Sequence, residues 1–84
     1  MNGGYRWVAH QQAVEFLLRL SSSNRRLLIE QLDKLADDPN QKTDSSVEEP
    51  GGRKLQLKIL GRFIITYWPD HAVKEVRIVA IEAV

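Results

Sequence analysis

The chain has 84 residues, enough for one small domain that buries roughly 60–65% of the surface its unfolded form exposes. It has no cysteine, and 12 Lys/Arg stand against 11 Asp/Glu for a formal net charge of +1. This excludes disulfide staples, thiolate metal sites and a cysteine nucleophile, and argues against a protein that coats nucleic acid. No apolar run approaches the roughly 20 residues of a membrane span, and no charged-then-apolar leader opens the chain. The expected location is therefore the cytoplasm, with no membrane partner, and residues 1–84 are read as a single domain.

Residues 5–9, YRWVA, alternate weakly and fit a short opening strand. From about His10 to Leu20, Ala13, Val14, Phe16, Leu17, Leu18 and Leu20 recur at helical spacing, which predicts an amphipathic helix. Ser21-Ser22-Ser23-Asn24 interrupts it and offers short polar caps to a second helix. That helix is expected over about Arg25 to Ala36, burying Leu27, Leu28, Leu32 and Leu35. Pro39 cannot donate a helical hydrogen bond and biases Asp38 away from the helical region, so the helix stops there. Two helices with one apolar stripe each form a hairpin that needs a sheet to cover it.

Residues 37–52, DDPNQKTDSSVEEPGG, hold almost nothing to bury and read as a mobile polar loop. Three strands follow. Leu55, Leu57 and Ile59 alternate with Lys54, Gln56 and Lys58, giving one apolar and one basic face. Gly61 marks a tight turn. Residues 62–68 are bulky on both sides, which suits a central strand, and Pro69-Asp70 suits the middle of a type I turn. The last strand runs from about Lys74 to Ala83, with Val76, Ile78 and Ala80 opposing Arg77, Val79 and Ile81.

Charge is unevenly spread. Residues 1–52 carry six Lys/Arg against eight Asp/Glu, whereas residues 53–84 carry six against three, so the strand region has a net charge of +3. Such a sheet suits a phosphate backbone or an acidic partner, or is a normally solvated face. Two histidines, no cysteine and no close acidic cluster make no metal site, and no cofactor motif is present.

The order of a short strand, a helix hairpin, a polar loop and an antiparallel meander resembles the RelE/ParE superfamily of toxins from type II toxin–antitoxin systems. The wording agrees across nearly the whole chain. The second helix ends on Leu35-Ala36-Asp37-Asp38-Pro39, and LKILGRFIITY is similar to the family's basic strand, glycine turn and "YRxxY" strand. The resemblance implies an α+β fold with an N-terminal helix hairpin packed on a three- to four-stranded antiparallel sheet. It also implies an antitoxin partner that wraps the chain. RelE-type members cut messenger RNA in the ribosomal decoding site without a metal. The ribose 2′-hydroxyl attacks the adjacent phosphate, and cations and proton donors stabilise the pentacoordinate state. ParE-type members share the fold and poison DNA gyrase without that chemistry.

Lys54 and Lys58 match the family's alternating basic positions, and Phe63 and Tyr67 its two aromatic ones. Ile64 stands where nuclease members carry the arginine of "YR". The sequence also stops at Val84, where such members add a basic and aromatic or histidine tail. The candidate catalytic residues are Lys54, Lys58, Arg62, His71 and Arg77, each weighed against a structural role: a solvated strand face for the lysines, a turn for Arg62 and His71, and a cross-strand pair with Glu75 or Glu82 for Arg77. Arg25-Arg26, at a helix start unfavourable for cations, reads as an acidic-partner contact or plain surface. Two functions follow: a ribosome-dependent, metal-free endoribonuclease, or a non-enzymatic binder of the gyrase-inhibitor kind or degenerate toxin that only docks a partner. Ile64 and the absent tail favour the second.

Overall fold

Trp7 opens the architecture by reaching across it: its indole Nε1 donates to Asp33 Oδ1 at 2.8 Å, tying the first strand to the second helix. In this computed structural model, which describes residues 4–84, the elements run β1 (Arg6–Ala9), α1 (Gln11–Arg19), α2 (Ser22–Asp37), β2 (Ser45–Glu48), β3 (Lys54–Leu60), β4 (Phe63–Asp70) and β5 (Glu75–Ala83). Helix α2 starts at Ser21, whose Oγ accepts from the Asn24 N–H at 3.3 Å. It ends where the Asp38 N–H reaches the Lys34 and Leu35 carbonyls, just before Pro39.

The turn between the helices is held by a residue read above as surface or partner contact. Arg25 Nε donates to the Leu17 carbonyl at 2.8 Å, and Nη2 donates to those of Leu18 and Leu20 at 3.3 and 2.9 Å. The last turn of a helix leaves carbonyls without amide partners and carries partial negative charge. Arg25 supplies both the donors and the opposite charge, so its unfavourable place on α2 is offset by a favourable one on α1.

The sheet has five strands in the order β1-β5-β4-β3-β2. The α+β class and the hairpin-on-sheet arrangement match expectation, but the sheet is mixed: β1 pairs with β5 in parallel, from Arg6↔Glu75 to Ala9↔Ile78. The additional strand, β2, lies within the stretch read as polar loop. It pairs antiparallel with β3 from Ser45↔Leu57 to Glu48↔Lys54. All four of its residues are exposed, so it is held by backbone pairing and not by burial, and hydrophobic periodicity gives no sign of it. β4 is central, between β5 and β3. It continues through Pro69 and Asp70, and the turn falls later, at His71–Lys74, where Lys74 takes φ 55°. Pro69 sits beyond the last β3 pair, Gln56↔Tyr67, a place where a missing N–H is tolerated.

Strand β5 carries a bulge. Thr66 pairs with Ala80 and Tyr67 with Ile78, leaving Val79 over. The bulge shifts the side-chain alternation by one, so Ile81 joins Val76 and Ile78 on the buried face instead of opposing them. The core joins these three to Ile65 and Tyr67 from β4, Ala13 and Leu17 from α1, and Leu28, Leu32, Leu35 and Ala36 from α2.

Candidate functional site

The two faces of β3 are fixed by its register with β4. Antiparallel partners share a face. Lys58 pairs with Ile65, Gln56 with Tyr67 and Leu60 with Phe63, and Ile65 and Tyr67 belong to the core under the helices. The basic row Lys54–Gln56–Lys58 therefore lies on the helix side of the sheet. Leu57 pairs with Thr66 and Ile59 with Ile64, so Leu55, Leu57 and Ile59 face away from the helices. The apolar side of this amphipathic strand is the outward one.

The sequence-predicted residues do not gather. Lys54 is exposed at the start of β3, across from Glu48. Lys58 is half-buried, and its Nζ donates to the Lys42 carbonyl at 2.9 Å. Arg62 is exposed in the β3–β4 turn, where its carbonyl accepts from the Val84 N–H at 2.7 Å. His71 is exposed in the β4–β5 turn at the other end of β4, with Nδ1 2.5 Å from the Tyr5 hydroxyl. Arg77 lies on the outward face, opposite Trp68, held by Asp70 Oδ2 at 3.4 Å and Glu75 Oε1 at 3.1 Å. The expected pairing of Arg77 with Glu75 is present. The five are thus divided between the two faces and the two ends of the sheet.

Over the helix side of β3 runs the connection from α2 to β2. Thr43 Oγ1 donates to Gln56 Oε1 at 3.0 Å, and Asp44 accepts from the Ile59 N–H at 2.7 Å while its own N–H donates to the Leu57 carbonyl at 3.0 Å. Beneath it Tyr67 is fully buried, and among the described residues its hydroxyl has no hydrogen-bond partner. Burial, reinforced by the negative charges of Asp38 and Asp44, pushes the Tyr67 hydroxyl up to about 12. It stays a neutral donor and does not act as a base near neutral pH.

Two features suit binding. On the outward face, Leu55, Leu57, Ile59 and Ile64 form an apolar surface that Val47 of β2 extends; Ile59 and Val47 are each 53% exposed. At one end the Trp68 ring carries the Arg53 guanidinium 4.2 Å from its centroid and that of Arg77 at 5.8 Å. The second feature is a groove of about 700 Å³ between α2 and the β3–β4 turn, lined by Asn24, Leu27, Leu28, Leu60, Arg62 and Phe63. Leu27, expected in the core, is 59% exposed along it. Among the described residues no three His, Asp or Glu side chains stand close enough to hold a metal ion, and no helix is long and apolar enough to cross a membrane.

A helix hairpin on one face of a five-stranded mixed sheet is the arrangement of a known class of small toxins. The chain is similar to the archaeal RelE–RelB complex from Pyrococcus horikoshii, with 27% identity over 94% of this chain and 93% of that one and a TM-score of 0.72. It is also similar in fold to the toxin–antitoxin complex RelBE2 from Mycobacterium tuberculosis (15% identity, 95% and 91% covered, TM-score 0.78). The isolated E. coli RelE toxin gives 15% identity, 94% and 83% covered, and a TM-score of 0.70. No protein-family model and no curated protein matches the sequence. The chain is RelE-like: it has the fold of the RelE toxins.

Proposed function

We propose that this chain is the toxin component of a toxin–antitoxin module and that it acts by docking a protein target, with DNA gyrase as the family's example of such a target. The single observation that carries the mode of action is the outward sheet face. Around the Ile59–Ile64 pair the face is apolar, and the guanidinium groups at its far end are engaged, Arg77 by Asp70 and Glu75 and Arg53 by Glu49 and the Trp68 ring, so the apolar stretch supplies no cation to a phosphate in the act of transfer. It supplies dry contact area, which protein recognition uses. The toxin assignment is supported by the RelE fold, and solved relatives of that fold are complexes with an antitoxin. The groove beside α2 suits an antitoxin segment that presents apolar side chains to Leu27 and Phe63 and a carboxylate to Arg62.

A second reading, ribosome-dependent mRNA cleavage without a metal, is favoured by Lys54 and Lys58 sharing one face of β3. In it those lysines would meet RNA on the ribosome, with Arg62, His71 or Arg77 as a further contributor. The discriminating experiment is induced expression in a bacterial host with cellular mRNA ends mapped. Growth arrest without codon-phased cuts is the expected result. Arrest with such cuts would establish the endonuclease, and no arrest from folded protein would remove the toxin reading.

A further inference from the structure

We propose that the free edge of β2 takes an extended segment of a partner protein, alternating basic and apolar residues, as a further strand of the sheet. The inference does not depend on the toxin reading.

β2 ends the sheet. The Glu49 N–H donates to the Arg53 carbonyl at 2.7 Å, and in an antiparallel ladder every second residue bonds across to its partner. With Ser45 opposite Leu57 and Val47 opposite Leu55, Ser45, Val47 and Glu49 direct their backbone groups to β3. Ser46 and Glu48 direct theirs away from the sheet, on a strand whose residues are all exposed. At the outer edge of β5 the Gln12 amide bonds the Ile81 backbone; among the described residues no side chain does the same at Ser46 or Glu48. Nor does β2 carry the lysine, proline or bulge that closes many edges to other chains. Its one charged residue is Glu48.

The side chains of β2 define what fits. Val47 stands on the outward face across from Leu55, and Glu48 on the helix side across from Lys54. Neighbouring strands are stabilised by apolar pairs on one face and opposite charges on the other. β3 meets both demands at the inner edge of β2, and a segment on the outer edge meets them with the same alternation. Charge points the same way. Residues 37–52 hold five Asp/Glu against Lys42 alone, and Glu48 makes no ion pair among the described residues. A second copy of β2 would bring more carboxylates to an acidic edge, whereas a basic strand offsets those present. The apolar residues of the added strand would continue the surface of Val47, Leu55 and Leu57, so backbone pairing and the outward face act together in recognition.

Titration of the full-length protein with a short capped peptide of alternating lysine and valine, with amide hydrogen exchange read residue by residue by NMR, tests this. The Ser46 and Glu48 amides should exchange at least about tenfold more slowly at saturation, while that of Val47, already bonded to β3, changes less. Ser46→Pro removes an outward N–H and no bond to β3, so the unfolding midpoint should hold and the peptide affinity fall at least about tenfold. Glu48→Lys should weaken the peptide by about three- to tenfold. A peptide of the same composition with its lysines and valines in separate blocks should bind at least about tenfold more weakly. Equal affinity for the block peptide would reduce the effect to charge attraction and overturn the proposal. So would failure of the alternating peptide to bind, or binding that leaves the Ser46 and Glu48 amides unprotected. Protection of those two amides by protein concentration alone would seat a second copy there and overturn it as well.

Discussion

The side-chain amide of Gln12 and the backbone of Ile81 bond each other in both directions. Gln12 Nε2 donates to the Ile81 carbonyl at 3.0 Å and the Ile81 N–H donates to Gln12 Oε1 at 2.9 Å. β1 pairs with β5 only as far as Ile78, and the His10 N–H makes the last bond, to the Ile78 carbonyl at 2.9 Å. Past the bulge at Val79 no strand among the described residues lies beside the outer edge of β5, and Gln12 takes the place of a strand residue there. Gln12→Ala should therefore cost about 1–3 kcal/mol in urea unfolding, because it strands a donor and an acceptor on β5. Gln12→Glu, which keeps the acceptor and loses the donor, should fall between the two. An unchanged midpoint for Gln12→Ala would show that water serves Ile81 equally well.

Arg25 should prove a stability residue and not a contact for an acidic partner. Its three bonds to the Leu17, Leu18 and Leu20 carbonyls predict a loss of about 1–2 kcal/mol for Arg25→Ala. Arg25→Lys should recover only part of it, since one ammonium cannot span the fork of a guanidinium. Arg26, its exposed neighbour, should tolerate alanine with no measurable change. Thermal unfolding of the three variants decides it.

Tyr67 makes stability depend on alkaline pH. Its hydroxyl titrates near 10.0 when free and at about 12 in the fold, chiefly through burial. Between those values the unfolded chain has lost the proton while the folded chain keeps it. Stability contributed by this group is thus whole below pH 10 and is lost as pH rises towards 12, a change of about 2–3 kcal/mol. Tyr67→Phe should flatten the stability profile over that window relative to wild type, the lysine titrations being common to both. Parallel profiles would place the hydroxyl in contact with water.

Leu27 separates antitoxin capture from toxicity. It is exposed along the α2 groove, so Leu27→Asp should leave the fold intact and abolish rescue by the antitoxin in a co-expression assay, while arrest by the toxin alone persists. Rescue of Leu27→Asp at the wild-type antitoxin level would move the antitoxin seat elsewhere.

The helices were legible because Leu28, Leu32 and Leu35 mark a stripe at helical spacing and Ser21 and Pro39 punctuate it. The centrality of β4 was legible from its two bulky faces. Which side of β3 is buried was not. Alternation alone shows that Leu55, Leu57 and Ile59 share a face, and the natural inference sends that face inward. The turn at Gly61-Arg62 joins Leu60 to Phe63, and that spacing already ties Ile59 to Ile64 and Lys58 to Ile65. Only packing reveals that the helices choose the Ile65 and Tyr67 side. β2 was illegible because Ser45–Glu48 is stabilised by hydrogen bonds that any sequence can make. The bulge at Val79, which turns Ile81 inward, leaves no mark in the residue pattern either.

The most direct measurement is growth arrest on induced expression, comparing wild type with Lys54→Ala/Lys58→Ala and with Ile59→Glu/Ile64→Lys. The last pair places opposite charges across β3 and β4, keeping the sheet while interrupting its apolar surface between Leu57 and the β3–β4 turn. Arrest by wild type and by the lysine variant, lost only in the Ile59/Ile64 variant with its unfolding midpoint little changed, is the predicted result. Arrest that survives in the Ile59/Ile64 variant and disappears with the two lysines would contradict the account and place the activity on the basic row.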